Sequence, residues 1–491
     1  MVKIIIIAIF IGIQVAVGIY STKKINSVDD FLLGGRKMGA WLSAIAYGTS
    51  YFSAVIFIGY AGGIGWEMGT SAIWIGIGNA LFGSFLAWKI LAKRTRSVTR
   101  ELNAKTMPEF FQKRYNSDLL KILASVLTFV FLVPYTASVY KGLGYLFAKL
   151  FGASVTINQA YIISVTIMAL FTVLYLVLGG YIATAMNNLI QGIIMIVGTI
   201  IIVIYVINSP NVNGLSQGLD SLNNIKEGLG TIIGPNPWKL LSLVILTSFG
   251  VWGLPQMVHK YYAIKDDSAI KRGTIIATVF AAIIGIGAYF TGSFGHLFFS
   301  EIPNGVADTI VPEMLTLVLP DVFLGIFMVL ILSASMSTLS SLVLVSSSSI
   351  TVDLIKGYFK KDLNEKKQVA LLRIFCVVFV LISVIIALTN NNTIVTLMNL
   401  SWGTLAGCFL GPYILGIYNK RTNKISALVG MLSGFTTMMT LVIINGMTYS
   451  TIGGCISMAV SIVVTYIASY IFKDKEFKTQ EIKDEAIVTS K

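Results

Sequence analysis

Between Ile331 and Leu354 the chain reads ILSASMSTLSSLVLVSSSSITVDL, long and apolar enough to cross a bilayer and yet rich in hydroxyls. Ala334, Ser337, Thr338 and Ser341 recur at i, i+3, i+4 and i+7, so a helix gathers them on one face. A cation entering a membrane must exchange its water for protein oxygens. Two adjacent hydroxyls and a nearby backbone carbonyl supply such oxygens without a fixed charge. This face is therefore a candidate for holding a bare monovalent cation, sodium first. Small residues at helical spacing also serve plain close packing of membrane helices, so the cation reading depends on what the rest of the chain places opposite.

Two apolar segments carry interruptions that suit them for that place. In 41–62, WLSAIAYGTSYFSAVIFIGYAG, Gly48 is followed by Thr49, Ser50 and Ser53 at mid-segment. In 238–259, WKLLSLVILTSFGVWGLPQMVH, Thr247 and Ser248 precede Gly250, Gly253 and Pro255. Proline removes a backbone donor and clashes with the preceding turn, so a kink or an unwound stretch is expected there. Backbone carbonyls freed inside a bilayer are tolerated only where they line a cavity or bind something. A packing kink accounts for one such segment; two in matching positions, each opening a run of five helices, point to a transporter binding site.

The elements that must position these residues follow from composition. The 491 residues are 55% hydrophobic and 12% charged, with a mean hydropathy of +0.81; soluble domains carry roughly 25% charged residues. The chain reads as an all-α polytopic membrane protein whose first partner is the lipid bilayer. About thirteen spanning helices are predicted, at 2–21, 41–62, 70–92, 120–140, 159–178, 182–207, 238–259, 273–298, 321–350, 370–389, 395–418, 425–445 and 451–472. Gly179 and Gly180 alone separate the fifth from the sixth. Residues 1–40 form an extra helix and inner loop, 41–207 a first five-helix repeat, and 208–237 an external loop. A second repeat spans 238–418, two further helices 419–472, and a polar cytoplasmic tail 473–491.

The net charge of +14 sits in short loops between apolar segments, where it sets orientation rather than binding nucleic acid. With the N-terminus outside, only Lys3, Lys141, Lys149, Lys226 and Lys239 fall on the outer side; every other Lys and Arg falls inside. The expectation is a multi-pass plasma-membrane protein, N-terminus out and C-terminus in. Cys376, Cys408 and Cys455 are scattered within apolar segments, and His259 and His296 lie near segment ends with no catalytic partner. No hydrolase triad, phosphate loop or zinc spacing is present, and no soluble catalytic domain is appended; the chain does not read as an enzyme or an ATP-driven pump. Acidic residues stand at the segment ends (Glu67, Asp308, Glu313, Asp321, Asp353), which argues against a carboxylate proton relay and against a solute with unpaired net charge.

Three stretches in order resemble the sodium:solute symporter family: VDDFLLGGRKMGAW (28–41), GGYIATAMNNLIQGIIM (179–195) and SASMSTLSSLVLVSSSSITVDL (333–354). The resemblance covers roughly residues 20–420. It implies a five-plus-five inverted repeat like that of the leucine transporter, with one helix before and two after. It implies Na+ as coupling ion, held by the backbone carbonyls of Thr49, Phe52 and Ala334 and the hydroxyls of Ser337 and Thr338. It also implies a small-molecule solute bound beside the ion by Ser53, Ala54, Tyr135, Thr247, Val251, Trp252, Pro255 and Trp402. No obligatory protein partner is evident.

The chain departs from the family pattern in places. Proline-transporting members carry an aspartate at the position of Tyr51 and an aromatic at that of Val251. FGVWGLPQMVHKYYAIKDDSAIKRG and VLPDVFLGIFM resemble pantothenate-type members about as well. Many members carry an aspartate at the position of Asn188; an amide lacks that charge, so one coupled sodium ion is expected, not two. The overall expectation is a sodium-coupled symporter that imports a small neutral or zwitterionic solute (an amino acid, vitamin or sugar-like molecule) by alternating access. A proton-coupled carrier on the same fold, or a channel, is the alternative.

Overall fold

The computed structural model describes residues 2–22, 28–148, 156–360 and 362–472; within them the side chains of 18–22, 157 and 175–183 are not described. The tail 473–491 lies outside these residues. In lipid every backbone polar group must find its partner within the chain, and helices achieve this segment by segment. The described residues are accordingly helical almost throughout.

The main elements are α1 (Val2–Thr22), α2 (Ala40–Tyr51), α3 (Val55–Ile64), α4 (residues 73–101), α5 (Asp118–Ala148) and α6 (Ile157–Ile207). They continue with α7 (Leu215–Ile225), α8 (Pro237–Phe249), α9 (Pro255–Tyr262), α10 (Asp267–Gly292) and α11 (Ile310–Val318). The last are α12 (Asp321–Ser348, prolonged through Ser349–Phe359), α13 (Glu365–Thr389), α14 (Ile394–Tyr418), α15 (Lys424–Asn445) and α16 (Ser450–Ile471). Local signals set the starts. Asn236 caps α8 with Pro237 in its first turn, Asp266 caps α10, Asn364 caps α13 and Thr393 caps α14.

Two packed groups emerge. In the first, α10 lies against α2, α3 and α4, and α8 and α9 close onto α4 and α2. In the second, α12 packs on α5, α6 and α13, which also pack on one another. The groups meet where α2 faces α6 and α12. Outside them α1 lies across α6 and α12, and α15 and α16 pack on α14.

The predicted count of thirteen is not reproduced by length and apolarity alone. Among the described residues nine helical runs pass that test, ten if one bent pair is a single span, with shorter apolar stretches at Val2–Val17 and Asn158–Leu174. The bent pair, the two shorter stretches and one merged pair make up the gap, and some expected boundaries also fall elsewhere. The stretch expected as two helices, 41–62 and 70–92, is divided instead into the twelve residues Ala40–Tyr51, too short to span, and one helical run, Val55–Glu101. Helical structure continues past residue 92 through the basic stretch Lys93–Glu101, expected as loop, and a further short helix, Met107–Tyr115, follows in the same stretch. The chain also stays helical through Gly179 and Gly180, so 159–207 is one helical run, not two separated helices. Two glycines cost roughly 1 kcal/mol each in a helix, less than leaving their backbone groups unpaired in lipid. At about 1.5 Å per residue α6 exceeds twice the roughly 30 Å hydrocarbon thickness, so it carries two spans' worth of residues. The external 208–237 segment holds one helix, α7, and the amphipathic part of 299–320 forms α11.

Candidate cation and solute site

The first break falls at Phe52 and Ser53, four residues beyond Gly48. Gly48 itself lies inside α2, where a side chain would meet the Phe280 ring at 2.4 Å. Its role is close approach of α10. At the break, the Ser53 hydroxyl accepts a 3.2 Å bond from Val55 N–H, replacing a backbone partner. The second break matches expectation. α8 passes through a short turn, Gly250–Trp252, and restarts at Pro255 with a 42° bend.

The end of α2 lies against the hydroxyl face of α12. The Ser337 hydroxyl is 2.8 Å from the Thr49 carbonyl and 2.9 Å from that of Ala334. The Thr338 hydroxyl is 3.3 Å from the carbonyls of Thr49 and Ser50 and 3.1 Å from that of Ala334. Thr49, Ala334, Ser337 and Thr338 are thus brought together, with Ser50 as an addition that spacing alone did not single out. Phe52 stands at the break, and the two hydroxyls are directed to Thr49, Ser50 and Ala334 rather than to it.

These residues are fully buried, and the Thr49 hydroxyl has no hydrogen-bond partner among the described residues. Such a buried hydroxyl costs about 1–3 kcal/mol if left unsatisfied. Three carbonyls share two hydroxyl protons, so oxygen lone pairs exceed donors. A set of neutral oxygens suits a hard cation of low charge and offers nothing soft to a transition metal. The donor set therefore fits sodium.

Of the solute-site candidates, Ser53, Tyr135 and Trp402 stand together. Tyr135 stands edge-on to Trp402 with ring centroids 5.7 Å apart, and its hydroxyl faces Ser53 and the Trp402 indole. The indole N–H of Trp402 is buried and its neighbour on that side is the Tyr135 hydroxyl. Tyr51, which had no predicted role, packs 6.0 Å from Trp402 and donates a 2.6 Å bond to the Thr247 carbonyl. Ala54 lies against Gly142 of α5. Val251 and Trp252 form the turn between α8 and α9, Pro255 opens α9, and Trp252 Nε1 donates to the Phe82 carbonyl at 3.0 Å. Trp252 is turned toward α4 in this arrangement, and its neighbour Phe249 stacks on Phe82. All eight candidates are buried.

Lys260 is the residue that sequence reasoning misplaced. Counted with the inner loop 260–272, it instead belongs to α9, is 2% exposed, and donates to the Ser341 hydroxyl at 2.8 Å. Every residue of α9 is buried, so no periodicity in the sequence marks Lys260 out.

The chain matches the sodium:solute symporter family over residues 31–434. It is 28% identical over 480 residues to the osmoregulated proline transporter OpuE of Bacillus subtilis, covering 94% of each chain. It is 29% identical over 495 residues to the sodium/proline symporter of Staphylococcus aureus, covering 96% of this chain and 92% of that one. Among solved structures it resembles a Na+-coupled sialic acid symporter in a substrate-bound outward-open state. There the TM-score is 0.78 at 18% identity, over 96% of this chain and 98% of the other. It also resembles MhsT in complex with L-phenylalanine, at TM-score 0.56 and 14% identity, over 88% and 99%. Those likenesses establish the fold, and the family match spans most of the chain: this protein is a membrane transporter of the sodium:solute symporter family.

Proposed function

We propose that the chain is a sodium-coupled symporter that imports a small neutral or zwitterionic organic solute by alternating access. The observation that carries this reading is the 2.8 Å approach of the Ser337 hydroxyl to the Thr49 carbonyl. It brings an interrupted helix and a hydroxyl-bearing helix from different packed groups to one point. Sodium at that point bridges the groups and favours the state in which both are in place. Solute then binds beside it, against Ser53 and Ala54 at the first break, Tyr135 of α5 and Trp402 of α14, and against Thr247, Val251, Trp252 and Pro255 around the second break. Coupling is the difference in affinity of the two ligands for the two states. An inward sodium gradient and the membrane potential, about 2.3 kcal/mol per charge per 100 mV, drive uptake.

In this reading 41–207 and 238–418 are the two inverted repeats, with the N-terminus outside and the C-terminus in the cytoplasm. Both bacterial relatives are named as proline transporters, so proline is the first solute to test. Tyr51 and Val251 count against it. The proton-coupled reading draws on Tyr51 and Asn188, which stand where family members carry carboxylates. Uptake into proteoliposomes separates the two. Accumulation under a sodium gradient and none under a proton gradient alone is expected; the reverse overturns sodium coupling.

A further inference from the structure

One helical turn along α12 from Ser337 and Thr338, a second layer of bonds crosses between the packed groups. Lys260 Nζ donates to Ser341 Oγ at 2.8 Å, and Ser341 Oγ shares a 2.8 Å bond with Ser50 Oγ. Ser50 Oγ lies 2.6 Å from the Ala46 carbonyl, one turn back along α2. Lys260, Ser341 and Ser50 are 2%, 3% and 1% exposed. An ammonium can only donate. Ser341 must therefore accept from it, which turns the Ser341 proton toward Ser50 or toward its own helix carbonyl at Ser337.

The layout gives this layer a direction. Lys260 and Ser50 come from α9 and α2 of the first group, and Ser341 from α12 of the second. Within the first group α9 and α2 are fixed to each other by aromatic packing: Tyr261 stacks on Tyr47 at 5.6 Å, and Trp88 stands edge-on to both. Moving the groups apart therefore breaks both bonds at Ser341 together. On α12 the layer lies in the C-terminal half, one turn beyond Ser337 and Thr338, toward the side that the loop charges put in the cytoplasm.

We propose that Lys260 is a positioning residue that latches the inner side of the sodium site. Its ammonium, through Ser341 and Ser50, holds the first group against α12 across the path by which the ion leaves. The proposal rests on the sodium-site reading given above, and the test keeps the two apart.

The test uses the full chain in inside-out vesicles, with the three native cysteines replaced and a single cysteine at Ala46, read by a membrane-impermeant maleimide. Lys260→Met is expected to raise the labelling rate about tenfold, a shift of one decade in the population of the open inner side. In uptake assays it raises the sodium concentration for half-maximal transport about fivefold, because sodium must now work against a carrier biased inward. Lys260→Arg restores both values, which a loss of packing alone does not explain. Ser341→Ala reproduces the Met variant, and the double variant adds nothing further, as expected of one shared contact. If Lys260→Met does not reach the membrane, Ser341→Ala carries the same measurement. Unchanged labelling in these variants overturns the latch, as does a fall in the sodium requirement, the mark of a lysine that merely repels the ion. Raised labelling in Lys260→Met, together with unchanged sodium dependence in Ser337→Ala, leaves the latch standing and overturns the sodium site.

Discussion

The Tyr51 hydroxyl donates a 2.6 Å hydrogen bond to the carbonyl of Thr247, tying the last residue of α2 to the final turn of α8. One side chain thereby spans the two helix interruptions that wall the proposed solute site. The fit is close: a side chain on Gly83 of α4 would meet the Tyr51 hydroxyl at 2.1 Å. Tyr51→Phe keeps the ring against Trp402 and removes only this bond. A net hydrogen bond is worth about 1 kcal/mol, so the solute KM should rise about fivefold. The sodium requirement at saturating solute should not change. Uptake kinetics with each ligand varied in turn checks both statements.

At the proposed sodium site, removing a hydroxyl from α12 should act on the ion instead. Ser337→Ala withdraws one oxygen and leaves the Thr49 and Ala334 carbonyls a donor short. The expected result is a sodium half-saturation about tenfold higher, equivalent to about 1.4 kcal/mol, with maximal uptake retained at high sodium. Thr338→Ala should act in the same direction. The two losses should not add, since both hydroxyls serve the same carbonyls. Sodium titrations of uptake on the single and double variants measure this.

The difference between what was legible in the chain and what was not has a physical pattern. Ser337 and Thr338 were readable because helical spacing alone puts hydroxyls of an apolar segment on one face. The break before Pro255 was readable because proline and two glycines act locally on the backbone. The break at Phe52 and Ser53 has neither signal. It is stabilised by side chains that supply the missing partners, Ser53 to the Val55 N–H and α12 hydroxyls to the Thr49 and Ser50 carbonyls. Such a break depends on a helix almost 300 positions away. The same holds for Lys260: a cation at a segment end reads as a loop charge, and only its contact with Ser341, 81 positions on, places it inside the fold. Gly48 misled for the opposite reason, as a packing glycine that resembles a flexible one.

Asn188 bears on stoichiometry. It is fully buried on α6, and neither end of its amide has a hydrogen-bond partner among the described residues. An amide there gives a cation one neutral oxygen and no charge. We expect one sodium ion per solute, read as the ratio of labelled sodium to labelled solute entering proteoliposomes. Asn188→Asp places a carboxylate where a bare charge costs roughly 2.5 kcal/mol or more. That variant should gain a larger sodium-dependent thermal stabilisation than the parent, with a steeper sodium dependence of uptake. A ratio of two in the parent would refute the expectation.

Asp308 gives the outer face a pH dependence with a definite sign. It sits in the turn Ala307–Thr309, whose Ala307 carbonyl presses against Gly62 of α3. Its carboxylate accepts a 3.2 Å bond from the N–H of Ile394, the first residue of α14. It lines a cavity of about 610 Å³ with Lys141, Tyr145 and Tyr161. Burial outweighs the help from the Ile394 N–H and the Lys141 ammonium and pushes its pKa up to about 6. Lys141 itself is held by the carbonyls of Asn390 and Asn392 at 2.9 and 2.6 Å. We expect opening of the outer path to draw this turn away from α3, returning Asp308 to water and to a pKa near 3.9. The closed form thus binds the proton more tightly. Its advantage is full below the open-state pKa and fades as pH rises through about 6. Between pH 7 and pH 5 the closed outer form should gain about tenfold. A cysteine at Gly63, which meets only the Ala307 methyl at an ordinary 3.6 Å, reports this through labelling from outside. Set against the same cysteine in Asp308→Asn, which cancels the reagent's own pH dependence, labelling should slow about tenfold over that interval. Equal pH profiles in the two backgrounds would show that Asp308 does not govern closure.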